Sequence, residues 1–118
     1  MATLQLETMS TQGEKIVGDL VGATPTSRKA PFDLVTTSQG VAYEVKSVTT
    51  QALNGSDKIR ISDKAWNRKM EFLAVNGYEG KLVVVVFDAD NDYSVHSLPL
   101  DRKHIRISRA IRIGDKLN

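Results

Sequence analysis

Leu82-Val83-Val84-Val85-Val86-Phe87 is an unbroken apolar run with no polar side chain on either parity. Successive side chains of a strand point to opposite faces, so a strand of this composition must be covered on both sides. A single sheet open to solvent on one face is therefore excluded, and helices or a further layer have to pack above and below it. The run is also far shorter than the roughly 20 apolar residues needed to span a bilayer as a helix.

The surrounding pattern supplies those layers. The spacing of Ile16, Val17, Leu20 and Val21 predicts a first helix from about Gln12 to Val21, with Thr11 and Glu14 at capping-box spacing. Residues 22–30 contain Pro25 and several small or polar residues and read as a loop. Pro31 to Lys46 reads as a hairpin. Residues 49–57 read as another loop, with Asn54-Gly55 as a turn signal, and Lys58-Ile59-Arg60-Ile61 as a short third strand. A second helix is capped by Ser62 or Asp63 and carries Trp66, Met70, Leu73 and Ala74 as its apolar stripe. It stops at Asn76-Gly77. The apolar strand follows, then a turn over Asp88 to Asp92 and a strand over Tyr93 to Leu98. Beyond Pro99, Ile105-Arg106-Ile107 and Ile111-Arg112-Ile113 read as edge strands, a basic arm or part of a dimer contact. The expected organisation is a flexible lead over 1–10, a core over 11–98 and a basic C-terminal extension over 99–118.

The hairpin carries the chemistry. Val41, Tyr43 and Val45 alternate with Ala42, Glu44 and Lys46; Phe32, Leu34 and Thr36 alternate with Asp33, Val35 and Thr37. With Ser38 and Gln39 as the loop, Leu34 faces Tyr43 and Asp33 faces Glu44, and both apolar rows share one face. A three-residue loop would reverse this parity. Opposed residues have Cβ atoms about 4.5–5.5 Å apart, so the two carboxylates repel each other unless a cation intervenes. Lys46 lies about 6.5 Å further along the strand. The competing explanation is structural: Asp33 caps a loop while Glu44 and Lys46 form a surface pair.

Asp33 followed by Glu44-Val45-Lys46, with Pro31 two residues before the aspartate, resembles the signature of the PD-(D/E)XK nuclease superfamily. One extra residue separates proline from aspartate. The expected order of elements also resembles its αβββαβ core, a restriction-endonuclease-like α/β (α+β) fold with a mixed sheet flanked by two helices. The resemblance covers residues 10–98. It implies a metal-dependent endonuclease acting on DNA, with Mg²⁺ or Mn²⁺ held by Asp33, Glu44 and the Val45 carbonyl, and Lys46 assisting the attacking water. It also implies a role for Glu14, since a first-helix glutamate completes the metal site in several branches; the competing role of Glu14 is to cap its own helix with Thr11. Lys64, Asn67 and Arg68 on the polar face of the second helix, with Lys58 and Arg60 on the short strand, are the expected nucleic-acid contacts. Small members of the superfamily include dimeric Holliday-junction resolvases and phage or toxin nuclease domains. A homodimer is therefore expected, and a toxin would bring an immunity protein. The alternatives are a toxin that cleaves transfer RNA and a nuclease-like fold that binds nucleic acid without cutting it.

Charge is consistent with a polyanionic partner. The net value is only +2, but Lys58, Arg60, Lys64, Arg68 and Lys69 face Asp63 alone over that stretch, and the last eighteen residues hold Arg102, Lys103, Arg106, Arg109, Arg112 and Lys116 against Asp101 and Asp115. On charge alone, a solvated surface with incidental clustering is the favoured explanation. Cysteine is absent, which removes disulfides and thiolate metal sites. No membrane association is expected, and the location is expected to be cytoplasmic. Asp88-Ala89-Asp90-Asn91-Asp92 resembles the start of a calcium loop but lacks its glycine and closing glutamate, so it is expected to be a turn.

Overall fold

The apolar run lies inside a mixed sheet whose two faces are both covered, as its composition requires. The structure, a computed structural model, describes residues 2–27, 29–51, 58–89 and 92–118. The expected Asn54-Gly55 turn lies outside these residues. In chain order the elements are α1 (Ala2–Val21), β1 (Thr24–Pro25), β2 (Leu34–Thr36), β3 (Val41–Thr49), β4 (Lys58–Arg60), α2 (Asp63–Asn76), β5 (Glu79–Phe87), β6 (Tyr93–Pro99), β7 (His104–Arg106), α3 (Ile107–Ile113) and β8 (Asp115–Lys116).

The main sheet has the order β1-β2-β3-β5-β6-β8, with β3 and β5 parallel and the other neighbours antiparallel. The class is α+β. Val83 and Val85 face α1, where they pack with Val17, Leu34, Tyr43 and Val95. Leu82, Val84 and Val86 face the other way, towards Trp66, Met70 and Leu73 of α2 and Ala110 of α3. Trp66 is thus a core residue. A Cβ at Gly13 would collide with Ser47 Oγ, so this glycine sets how closely α1 lies on β3.

The hairpin register is the one the alternation predicts: Leu34 pairs with Tyr43, Val35 with Ala42 and Thr36 with Val41. Pairing stops there, and residues 37–40 make a four-residue reversal closed by the Gly40 N–H donating to the Thr36 carbonyl at 2.7 Å. Gly40 adopts φ +67°, a region open to glycine at little cost. Four loop residues preserve the parity that two would have. α2 starts at Ser62, whose side chain accepts from the Ala65 N–H, and ends at a left-handed Gly77, next to the hairpin turn, where the Glu79 N–H donates to the Gly40 carbonyl at 2.8 Å.

Several expectations change. The strand at 58–60 exists, but it leaves the main sheet and pairs with β7 in a separate two-stranded ribbon. Thr24–Pro25, inside the expected loop 22–30, supplies a strand beside β2 instead. α1 begins at Ala2, well before Gln12, so Thr11 is an interior helix residue and cannot cap Glu14. Residues 111–113 are helical, because Ile107 and Ala110 turn one face of α3 into the core. The C-terminal residues are built into the fold, with β8 pairing along the edge of β6. Phe32 was expected on the face of Leu34, yet it packs in the opposite cluster with Ala42. Residues 31–33 precede the regular strand, so strict alternation does not extend to them.

Candidate active site

Asp33 sits at the entrance to β2, where its backbone N–H donates to the Tyr43 carbonyl at 3.0 Å. Its Oδ2 accepts the Val45 N–H at 2.9 Å. Backbone and side chain are thereby both tied to β3, beside Glu44. The Thr26 N–H donates to the Asp33 carbonyl at 3.1 Å, and the Thr26 hydroxyl donates to the Phe32 carbonyl, which steadies the approach to the strand.

Glu44 projects to the α2 side of the sheet and is buried. Its carboxylate lies between two ammonium groups: Lys69 Nζ is 2.6 Å from Oε1 and Lys46 Nζ is 3.4 Å from Oε2. The two lysines differ in surroundings. The Lys46 side chain is 42% exposed, whereas that of Lys69 is 9% exposed. Lys69 also donates to the Pro31 carbonyl and stands 4.8 Å from the Phe32 ring centroid. That cation–π contact, together with the Phe32–Phe72 ring pair at 5.6 Å, explains why Phe32 turns towards α2.

Glu14 stands on α1. It is half-buried at the edge of a cavity of about 330 Å³ bordered by Gly18, Asp19, Ala23 and Leu34. Burial raises its pKa, and so do the charges of Asp33 and Glu44. Burial likewise raises the pKa of Asp33, with the Glu44 charge adding to it and the Val45 N–H, Lys69 and Lys46 opposing. Asp33 and Glu14 therefore each sense neighbouring acidic charge, with burial the larger cause of both raised values.

The donor set suits a hard divalent cation. Carboxylate and backbone oxygens, without thiolate or imidazole, are the ligands that Mg²⁺ and Mn²⁺ take, and such ions retain several waters. Among the described residues no three acidic or imidazole groups are gathered tightly enough to form a complete cage by themselves. An ion at Asp33 and Glu44 would thus depend on water and the Val45 carbonyl for its remaining ligands.

The expected nucleic-acid contacts separate into two groups. Lys64, Asn67 and Arg68 lie exposed on α2, but Arg68 Nη2 already donates to the Lys29 carbonyl at 2.8 Å and braces that loop. Lys58 and Arg60 lie on the outer side of the β4–β7 ribbon, with Ile59 buried between them. Asp19 is exposed. Asp88 and Asp92 close a turn, the Asp92 N–H donating to Asp88 Oδ1 at 3.0 Å; Asp90 and Asn91 lie outside the described residues.

Sequence reasoning missed Lys69. Its signal is nonetheless present: it falls three residues after Trp66 and four before Leu73, so it interrupts the apolar stripe of α2. A lysine on a core-facing stripe needs a buried anion, and Glu44 is that anion.

Comparison with known proteins found no family model that matches the chain, and no curated protein or solved structure that matches it. Among the described residues no helix is long and apolar enough to cross a membrane.

Proposed function

We propose that this chain is a metal-dependent endonuclease of the PD-(D/E)XK type, acting on DNA. The observation that carries the reading is the convergence of Asp33, Glu44 and Lys46 on one end of the β2–β3 pair, with the Asp33 carboxylate anchored to the Val45 N–H. The order α1, β1, β2, β3, α2, β5 along the main sheet supports it, being αβββαβ once the detached β4 is set aside.

Asp33, Glu44 and the Val45 carbonyl would hold the ion, with Glu14 as a further carboxylate or the acceptor for a bound water. A divalent ion there would supply charge neutralisation at the phosphate and a water acidic enough to attack near neutral pH. Lys46, the more exposed of the two lysines, would orient the attacking water or stabilise charge developing on the phosphorus oxygens. Lys69 holds the Glu44 carboxylate in place and acts as a positioning residue. The Val45 N–H limits the rotation of Asp33, so the acidic pair is preorganised before substrate arrives.

The Glu44–Lys69 pair also favours a second reading. A carboxylate already compensated by two ammonium groups has less need of a metal, which is what a nuclease-like fold that binds without cutting requires. The distinguishing experiment incubates the chain with supercoiled plasmid, branched DNA and RNA, with Mn²⁺, with Mg²⁺ and with EDTA. Metal-dependent nicking that disappears in Lys46→Ala supports hydrolysis. Binding without nicking, together with no heat of Mn²⁺ binding by calorimetry, would select the binding module. Cleavage confined to RNA would select the ribonuclease alternative.

A further inference from the structure

The β4–β7 ribbon has a composition that its own folding does not explain. Its register opposes Lys58 to Arg106 and Arg60 to His104, while Ile59 faces Ile105. Ile59 and Ile105 are buried in the core cluster. Both strands show the same pattern, an exposed residue on each side of the buried isoleucine. Every outward position of the ribbon is thus cationic or an imidazole.

Like charges directly opposed across strands destabilise a ladder. Natural sheets relieve this by alternating sign, yet among the described residues none of Lys58, Arg60, Arg106 and Arg109 takes part in an ion pair. A cleft of about 340 Å³ runs beside the ribbon, and its border is formed by Lys58, Arg102, His104, Ile105, Arg106 and Arg109. Among the described residues no carboxylate forms that border, although Arg102 is paired with Asp101 at 3.0 Å.

We propose that the outer face of the β4–β7 ribbon, with Arg102 and Arg109 at its rim, is a docking surface for the phosphate backbone of duplex DNA. It is built from a different sheet than the carboxylate site, and it draws mainly on the C-terminal segment. The choice of partner follows from chemistry. Planar guanidinium groups match phosphate oxygens in a bidentate way. A lipid surface or an acidic peptide would also use apolar anchors, and the border's isoleucine is turned inward. Rows of cations along the ribbon and its cleft, whose described border is cationic or imidazole apart from the inward-turned Ile105, suit contacts that position a duplex without reading its sequence.

The inference rests on the nuclease reading for the identity of its partner, and the test keeps the two apart. Binding of the full chain to fluorescent DNA and RNA duplexes is measured in EDTA, across a salt series, so that no hydrolysis enters. Lys58→Gln/Arg106→Gln should lower the magnitude of the log K against log salt slope by about 1.8 on duplex DNA, about 0.9 per lost phosphate contact. Affinity near 0.1 M salt should drop at least about tenfold. A control, Lys116→Gln, removes an exposed cation elsewhere and should leave the slope near its original value. Loss of slope on the DNA duplex supports the proposal, and loss confined to the RNA duplex overturns it. Wild-type slopes in the ribbon variant on both duplexes overturn the proposal, as does an equal loss in the control. Both variants alter exposed positions, and melting temperatures no lower than that of the wild type certify their folds. Cleavage by the wild type is scored separately with Mn²⁺. An inactive chain whose ribbon variant alone loses binding would refute hydrolysis and keep the docking surface; an active chain with an indifferent ribbon would do the reverse.

Discussion

The Glu44 centre and the β4–β7 ribbon use charge in opposite ways. At Glu44, unlike charges are removed from water and matched to one another: a buried lysine on α2, a half-exposed lysine on β3, and an anion between them. On the ribbon, like charges are left in water and set against each other, Lys58 opposite Arg106. The first arrangement is tied to the integrity of the fold, because either partner alone would be a desolvated ion. The second depends on solvent screening and has a built-in attraction for an anion from outside. One region specifies where side chains stand, and the other creates a field.

The largest expected effect comes from breaking the buried pair. Glu44→Ala should abolish metal-dependent cleavage and also destabilise the fold by about 3–5 kcal/mol, since Lys69 is left without its buried anion. Adding Lys69→Met should recover much of that stability while activity stays absent, because an apolar replacement of a buried pair is often neutral. Chemical denaturation of the single and double variants measures both, and equal stability of Glu44→Ala and wild type would show that the pair is not energetically buried.

Lys46→Ala isolates the exposed partner. Cleavage should fall by about a hundredfold or more, the scale of losing one charge-stabilising donor, while stability changes by less than about 1 kcal/mol. A variant that melts early but cuts normally would exchange the roles given to Lys46 and Lys69.

Titration sharpens the contrast further. Asp33 and Glu14 have raised pKa values, chiefly through burial, so the folded chain keeps these protons at pH values where the unfolded chain has released them. Stability of the metal-free protein should therefore decline as pH rises from below the ordinary carboxylate pKa through the raised values, and then level off. Asp33→Asn should flatten that decline, because an amide oxygen can still accept the Val45 N–H. Mn²⁺ should raise the melting temperature most at the upper end of the same window. Melting curves across pH, with Mn²⁺ and with EDTA, read both effects.

The smallest effect belongs to the ribbon. Removing its opposed charges with Lys58→Gln should stabilise the chain by roughly 0.2–1 kcal/mol in low salt, and by less in high salt. A loss of stability would mean that Lys58 is structurally engaged and not waiting for an anion.

The sequence was most legible where the period is short and the partner is near. Val41 to Lys46 alternates strictly, and Leu34 to Thr36 alternates with it, so the pairing of Leu34 with Tyr43 could be read directly. Asp33, by contrast, lies just outside that ladder and is tied to β3 through the Tyr43 carbonyl and the Val45 N–H. The capping of α2 by Ser62 and its stop at Gly77 were equally local. Reading failed at Phe32, where the chain has not yet entered the strand. It failed at Lys58-Ile59-Arg60, whose alternation marks a strand but not the sheet it joins. It failed too at Thr11, whose capping-box spacing recurs by chance within a longer helix.

By itself, then, the amino-acid order determined a sheet covered on both faces, the hairpin parity and the presence of an acidic pair next to a lysine. Only the tertiary structure decided that Lys69 meets Glu44 across 25 positions of chain, and that β4 leaves the sheet to pair with β7. Alternation and capping are properties of neighbouring residues, settled by backbone geometry over a few positions. Which buried ion a helix brings to which strand depends on how α2 docks, and that is chosen by the whole core at once.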